Sequence, residues 1–110
     1  MPVATATKIT ALSEDLGSQR RVAELLGVSP AQVTRWRKGG GIDLVNAERV
    51  DLLELVLSSL LRLYPPEAAE RWLLGLNPRL GDRRPIDLVR AGRSQELLGA
   101  IADERAGGYA

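Results

Sequence analysis

Residues 19–38 constrain the fold more than any other stretch, because two short helical patterns meet there across a turn. Gly27 lies where the patterns meet, and glycine adopts the left-handed backbone of a tight turn at little cost. Ser18 is expected to cap the first of these helices. Ser29 is a good N-cap and Pro30 a good first helical residue, so a second helix is predicted to begin there. This spacing is typical of a helix-turn-helix.

Small and apolar side chains in this stretch predict how its two helices pack. Ala23 lies where the second helix must cross the first, and a larger side chain would force the two apart. Val33 and Trp36 are three residues apart and therefore share the face of the second helix that would enter the core. We expect the angle between the helices to be filled by Val22, Leu26 and Val28.

The side chains left outside this predicted core are mostly small, amide or cationic, which are the types that contact phosphates and base edges. We therefore predict a DNA-binding surface made of Gln19, Ser29, Ala31, Gln32, Thr34, Arg35, Arg37 and Lys38. The alternative is an ordinary helical hairpin with a solvated basic face. The agreement of spacing, turn, cap and charge favours DNA binding.

The net charge of +1 is unevenly distributed along the 110 residues. Residues 1–41 contain six Lys or Arg and three acids, whereas residues 42–110 contain nine Arg and eleven acids. The positive excess falls on the half with the helix-turn-helix pattern, as nucleic-acid binding requires. Because this excess is modest, we expect a homodimer or higher oligomer to bind double-stranded operator DNA.

The chain contains neither cysteine nor histidine. This composition excludes Ser-His and Cys-His nucleophiles and the usual zinc ligands. A metal site made of carboxylates alone, or a glycosidase-like pair of carboxylates, is still open, but no spacing in the chain suggests one. We therefore expect no catalytic residues, no metal and no cofactor, and a small enzyme is disfavoured.

No segment has the pattern of a membrane span or a signal peptide. The longest leucine-rich run, Val50 to Leu63, is interrupted by Asp51, Glu54 and Arg62. The first ten residues lack an apolar core of signal-peptide length. We therefore expect a cytoplasmic protein that does not enter a membrane.

The remaining periodicity predicts an all-α fold with six or seven helices, since no stretch alternates apolar and polar residues over strand length. Besides the helix-turn-helix, helices are predicted over residues 7–16, 43–64, 67–74, 85–89 and 95–106. Ser94 is expected to cap the last of these helices, whose apolar face would consist of Leu97, Leu98, Ile101 and Ala102. Three glycines at 39–41 form a flexible joint, which predicts a DNA-binding part at 1–41 and a second part at 42–110. The longest helix has a broad apolar arc, which begins at Val45 and ends at Leu63. This arc would pack on two sides, the second being either the core of a monomer or another subunit.

The second half carries Trp72, the pair Asn77-Pro78, Leu80, the run Pro85-Ile86-Asp87-Leu88 and Gly92, followed by a closing leucine-rich helix. This pattern resembles the toxin-binding domain of the Xre/MbcA/ParS antitoxins, and the resemblance covers nearly the whole chain. It implies that residues 42–110 form a helical toxin-binding and oligomerisation part. It also implies that the partner is a RES-domain toxin, which consumes NAD, and that the antitoxin blocks the toxin's active-site cleft and represses its own operon.

The resemblance also assigns residues by position. It implies that the toxin-binding domain is shaped by Trp72, Asn77, Pro78, Leu80, Pro85, Asp87 and Leu88. The last helix and the tail through Tyr109 would lie at or in the toxin's cleft, where Arg90, Arg93 and Arg105 could meet acidic groups. Arginines in loops are usually just solvated, however, and a tryptophan on an apolar face is more often core than contact. The alternative function is a plain dimeric helix-turn-helix repressor whose second half serves only in dimerisation.

Overall fold

The computed structural model describes residues 4–107 and is all-α over that range. It contains α1 (Thr5–Leu16), α2 (Gln19–Leu26), α3 (Pro30–Arg37), α4 (Leu44–Leu61), α5 (Pro66–Leu74), a 3-10 turn (Pro78–Leu80), α6 (Pro85–Ala91) and α7 (Ser94–Arg105). These seven α-helices confirm the predicted fold class. Tyr109 lies outside the described residues. Within residues 4–107, none of the helices is long and apolar enough to cross a membrane.

The boundaries of α2 and α3 follow the predicted capping chemistry. At the start of α2, the Ser18 side chain accepts a hydrogen bond of 3.1 Å from the Arg21 backbone N–H. Gly27 ends α2 with a left-handed φ of 72°. At the start of α3, Ser29 Oγ accepts from the Gln32 backbone N–H at 3.2 Å, and Gln32 Oε1 accepts from the Ser29 N–H at 3.0 Å. This reciprocal capping box satisfies two backbone groups that a helix end leaves without partners.

The chain divides into two compact units, residues 1–54 and residues 55–110, and α4 contributes its first half to one and its second half to the other. In the first unit α1, α2 and α3 pack on one another. Their buried side chains are Ile9, Leu12, Val22, Ala23, Leu25, Leu26, Val33 and Trp36. Lys8 on α1 donates a hydrogen bond of 2.6 Å to Asp51 on α4. The functional division after residue 41 stays a prediction.

In the second unit α6 packs against both α5 and α7, and the 3-10 turn packs against α7. The apolar residues buried in these four elements are Ala69, Leu73, Leu80, Ile86, Leu88, Val89, Leu97, Ala100 and Ile101. Pro66 and Pro85 each occupy a first helical position, where the missing N–H costs no hydrogen bond.

Helix α4 is shorter than predicted and less buried at its ends. It stops at Leu61 because the backbone N–H groups of Leu63 and Tyr64 both bond to the Leu60 carbonyl, at 2.9 and 2.8 Å, which turns the chain. Val45 and Leu63, which were placed on the apolar arc, are 54 % and 38 % exposed. The buried arc of α4 is therefore narrower than the periodicity indicated.

Helix α7 also differs from its prediction. Ser94 was expected to be the N-cap, but it is the first helical residue, and Arg93 at the cap position makes no side-chain capping bond. The predicted apolar face included Leu98 and Ala102, whereas both are exposed and Ala100 is buried in their place. The helix is therefore rotated about its axis relative to the predicted face.

Candidate functional site

The α2–α3 surface, defined by the eight residues predicted to bind DNA, lies entirely within the first unit. Ser29, Ala31, Arg35, Arg37 and Lys38 are exposed, and Gln19, Gln32 and Thr34 are half-buried. The fold therefore leaves the cationic members of the set accessible to a ligand.

Four of these eight residues are also held by internal hydrogen bonds. Thr34 Oγ1 donates to Gln19 Oε1 at 3.2 Å, which ties the start of α2 to the middle of α3. Gln32 Oε1 is used by the capping box with Ser29. The carboxamide oxygens of both glutamines are thus occupied, and each glutamine keeps its Nε2 amino group as a donor.

Gly40 contacts Arg35 of this surface in a way that the sequence did not indicate. The glycine run was predicted to be a flexible joint, but the Gly40 N–H donates to the Arg35 carbonyl at 2.9 Å. A Cβ atom at Gly40 would lie 2.5 Å from Arg35 Cγ. Gly40 therefore allows a close approach that places the aliphatic part of Arg35.

The positive charge belongs to the α2–α3 region and not to its unit as a whole. Residues 19–38 carry five cations and one acid, whereas residues 1–54 carry seven of each sign. The cations near the end of α3 also suit the negative end of its dipole, so part of their effect is on helix stability.

The second unit contains a pocket of about 220 Å³ that brings together three residues of the predicted toxin-binding set. Its lining residues are Arg71, Trp72, Gly75, Leu76, Asn77, Pro78, Arg79 and Glu104. Leu76 beside it is 70 % exposed, which is unusual for a leucine of this unit. Sequence reasoning missed Leu76, Arg79 and Glu104, because their types and spacing carry no signal of their own.

Asn77 is the buried polar residue on which this pocket is built, with 8 % exposure. Its Oδ1 accepts from the Arg79 N–H at 2.9 Å, and its backbone N–H donates to the Arg83 carbonyl at 3.0 Å. These bonds cap the 3-10 turn and fix the backbone at Arg79.

The Glu104 carboxylate links α7 to the turn after α4 and to the 3-10 turn. The Tyr64 hydroxyl donates to Glu104, and Arg79 Nη1 donates to the other carboxylate oxygen at 2.7 Å. The hydrogen bond from Tyr64 is the largest cause that lowers the pKa of Glu104, and Arg79 lowers it further against the opposing effect of burial. The Trp72 Nε1 atom is buried in this pocket without a hydrogen-bond partner among the described residues.

The other predicted toxin-binding residues fall into two groups. Leu80 and Leu88 are 2 % exposed and Pro85 is buried, so they shape the unit from inside and offer no contact surface. The charged members lie nearer the surface: Asp87, Arg93 and Arg105 are exposed, and Arg90 is half-buried.

Asp87 and Arg93 each have an ion-pair partner. Arg84 binds Asp87 at 3.0 Å, and their hydrogen bond lowers the pKa of the Asp87 carboxyl. Arg93 bonds to Glu96, which also accepts from Arg83. The hydrogen bond from Arg83 is the largest cause that lowers the pKa of Glu96.

No protein-family model matches the chain. The mycobacterial cidal antitoxin MbcA is 32 % identical over 98 residues, in Mycobacterium bovis and in Mycobacterium tuberculosis alike. The match spans 87 % of this chain and 87 % of each relative. A chain in the crystal structure of the M. tuberculosis MbcT–MbcA toxin–antitoxin complex superposes with a TM-score of 0.80 and 29 % identity, covering 99 % of this chain and 100 % of that chain.

The sequence and the helical fold are therefore those of an all-α antitoxin. The agreement in sequence extends over both units of the chain. The protein belongs to the family of the mycobacterial cidal antitoxin MbcA. This confirms the resemblance identified in the sequence.

Proposed function

We propose that this protein is an antitoxin that neutralises a RES-domain, NAD-consuming toxin in the cytoplasm by blocking its active-site cleft. The observation that carries the proposal is the similarity to MbcA along nearly the whole chain, in sequence and in fold. The protein acts as a binding partner and catalyses no reaction itself.

The second unit supplies the proposed toxin-binding surface. The pocket between α5, the 3-10 turn and α7 exposes Leu76 beside the half-buried Trp72. An apolar anchor rimmed by charged side chains is the usual composition of a protein–protein contact. Arg93 and Arg105 add exposed cations on the same unit, and Tyr109 follows α7 in the chain.

The α2–α3 surface supports a second activity of the same chain, namely repression of its operon by binding operator DNA. Its three exposed cations, Arg35, Arg37 and Lys38, are suited to base edges and phosphates. We propose that a homo-oligomer is the form that binds, because residues 19–38 of one copy offer few cations.

The test is purification of the tagged full chain from its native cells, with a tag-only control, followed by mass spectrometry of what is bound. We expect a stoichiometric RES-domain protein. The isolated complex should consume NAD slowly, and removing the antitoxin by denaturation and refolding of the toxin should restore the activity.

Two other results would contradict the antitoxin function. A RES-domain protein that consumes NAD equally fast with and without the bound chain would exclude neutralisation by blocking the cleft. Recovery of this chain alone, as a dimer that shifts promoter DNA, would favour the plain repressor. In that case Leu44 and Val45, which are 74 % and 54 % exposed on α4, would be candidates for the dimer contact.

A further inference from the structure

The last turn of α7 carries two acids and one cation, Arg105, so its net negative charge is unfavourable for an isolated helix. Asp103 and Glu104 lie at its C-terminal end, where the helix dipole is negative and carboxylates repel it. Glu104 is also largely buried, with a side chain that is 17 % exposed. A buried carboxylate at this end of a helix must be compensated by other groups.

The compensation comes from two residues outside α7. Arg79 binds Glu104 at 2.7 Å and lies 3.7 Å from an oxygen of Asp103, so one guanidinium faces both acids. Tyr64, in the turn after α4, donates its hydroxyl to Glu104. Residues 64, 79 and 104 are far apart in sequence, and their contact fixes the end of α7 against two other segments of the same unit.

Arg79 is itself held in place. Its backbone N–H is bonded to the side chain of Asn77, and the neighbouring Leu80 is 2 % exposed. The guanidinium therefore projects from a rigid turn, which makes it a fixed point to which α7 can be attached. Arg105 places a cation in the last turn of α7, which suits the helix dipole, but it does not determine where that end lies.

We infer that Arg79 and Tyr64 are positioning residues for toxin neutralisation, through their bonds to the Glu104 carboxylate. They hold the last turn of α7, and the exposed Arg105 is thereby presented to the toxin in one arrangement. This role rests on the proposed function. Without the bonds the last turn frays, and ordering it on binding then costs affinity.

The test uses the full chain and the purified toxin in a double-mutant cycle of Arg79→Ala and Glu104→Gln. Each single variant should raise the dissociation constant for the toxin about tenfold, and the double variant should also raise it about tenfold rather than a hundredfold. Tyr64→Phe, which removes only the hydroxyl, should have a smaller effect in the same direction. Arg62→Ala, at an exposed arginine outside both surfaces, is the matched control and should leave the constant unchanged.

Amide hydrogen exchange of the free chain gives a readout that does not depend on the toxin. Exchange at residues 101–106 should accelerate in Arg79→Ala and Glu104→Gln, whereas α5 and α6 should keep the protection of the unaltered chain. Loss of protection throughout the unit would mean that the variants unfold the whole unit, which would contradict a role limited to the last turn of α7.

Several outcomes would overturn the inference. Additive effects in the cycle would mean that Arg79 and Glu104 influence toxin binding independently and not through their mutual bond. Accelerated exchange with unchanged affinity would mean that the order of the last turn does not matter for binding, and unchanged exchange would mean that the cluster does not hold it. If the unaltered chain fails to bind the toxin, the proposed function fails and the positioning role fails with it. The exchange data would still decide whether Arg79 and Glu104 hold the last turn of α7.

Discussion

At the scale of single residues, Gly40 and its neighbour Gly41 form a matched pair for testing how Arg35 is placed. A Cβ at Gly40 would lie 2.5 Å from Arg35 Cγ and 2.9 Å from the Arg35 carbonyl oxygen, whereas one at Gly41 would meet nothing within 4 Å. Gly40→Ala should therefore destabilise the fold by roughly 1–3 kcal/mol and weaken operator binding. Urea unfolding and a gel shift measure the two effects, and equal behaviour of Gly41→Ala would contradict the close-contact explanation.

A substitution at Leu76 should test whether the pocket of the second unit binds the toxin, without disturbing the core. Because it is 70 % exposed, Leu76→Asp should leave the thermal midpoint nearly unchanged. If Leu76 is an anchor for the toxin, the substitution should cost about 2 kcal/mol of binding free energy, measured by calorimetry. Leu98→Asp on α7, at a leucine that is 42 % exposed, is the control. A similar loss in both variants would point to nonspecific effects of an added charge.

Glu104 should give the protein a measurable dependence of stability on pH. Its pKa in the folded chain lies below the ordinary value of 4.5, chiefly because Tyr64 donates to it. The ionised carboxylate therefore stabilises the fold above that value, and the contribution is lost as the pH falls through the folded-state pKa.

The free energy of unfolding should thus differ most between the unaltered chain and Glu104→Gln at neutral pH. The difference should shrink once the pH falls below about 4.5. Urea unfolding between pH 3 and pH 7 measures it, with Glu67→Gln at an exposed site on α5 as control. A difference that does not change with pH would assign the effect to packing.

At the scale of elements, two substitutions on α3 should distinguish contacts to DNA bases from contacts to phosphates. Arg35→Ala should cost about 1–3 kcal/mol at the operator if Arg35 pairs with a guanine edge. Lys38→Ala should weaken binding to all sequences similarly and reduce the salt dependence, as a phosphate contact does. Gel shifts on operator and random DNA at several salt concentrations measure both. An unchanged sequence preference in Arg35→Ala would remove that residue from base readout.

The elements also show what the sequence could predict. Start and stop signals at Ser18, Gly27 and Ser29 are local chemistry, so the boundaries of α2 and α3 were predictable and are confirmed. The buried face of α7 was not, because the choice between Leu98 and Ala100 depends on how the helix packs against α6. The Tyr64–Arg79–Glu104 contact joins residues that are distant in sequence, and no spacing rule relates them.

At the scale of the whole molecule, the two proposed activities use different units. The α2–α3 surface lies in residues 1–54, and the pocket and the Glu104 contact lie in residues 55–110. Residues in separate compact units with no shared partners have nearly additive effects on stability and binding. Substitutions in one unit should therefore leave the activity of the other intact.

The full chain with both Arg35→Ala and Lys38→Ala should accordingly lose operator binding and still neutralise the toxin. Deletion of residues 107–110 should have the opposite effect, namely impaired neutralisation with operator binding kept, because the segment after α7 is proposed to enter the toxin's cleft. The deletion should affect neutralisation more than folding. Gel shifts, inhibition of NAD consumption and thermal midpoints measured on both variants make the comparison. If the truncated chain protects as well as the full one, the tail is not what blocks the cleft. If the DNA-binding variant also loses neutralisation, the two activities are not carried by separate units.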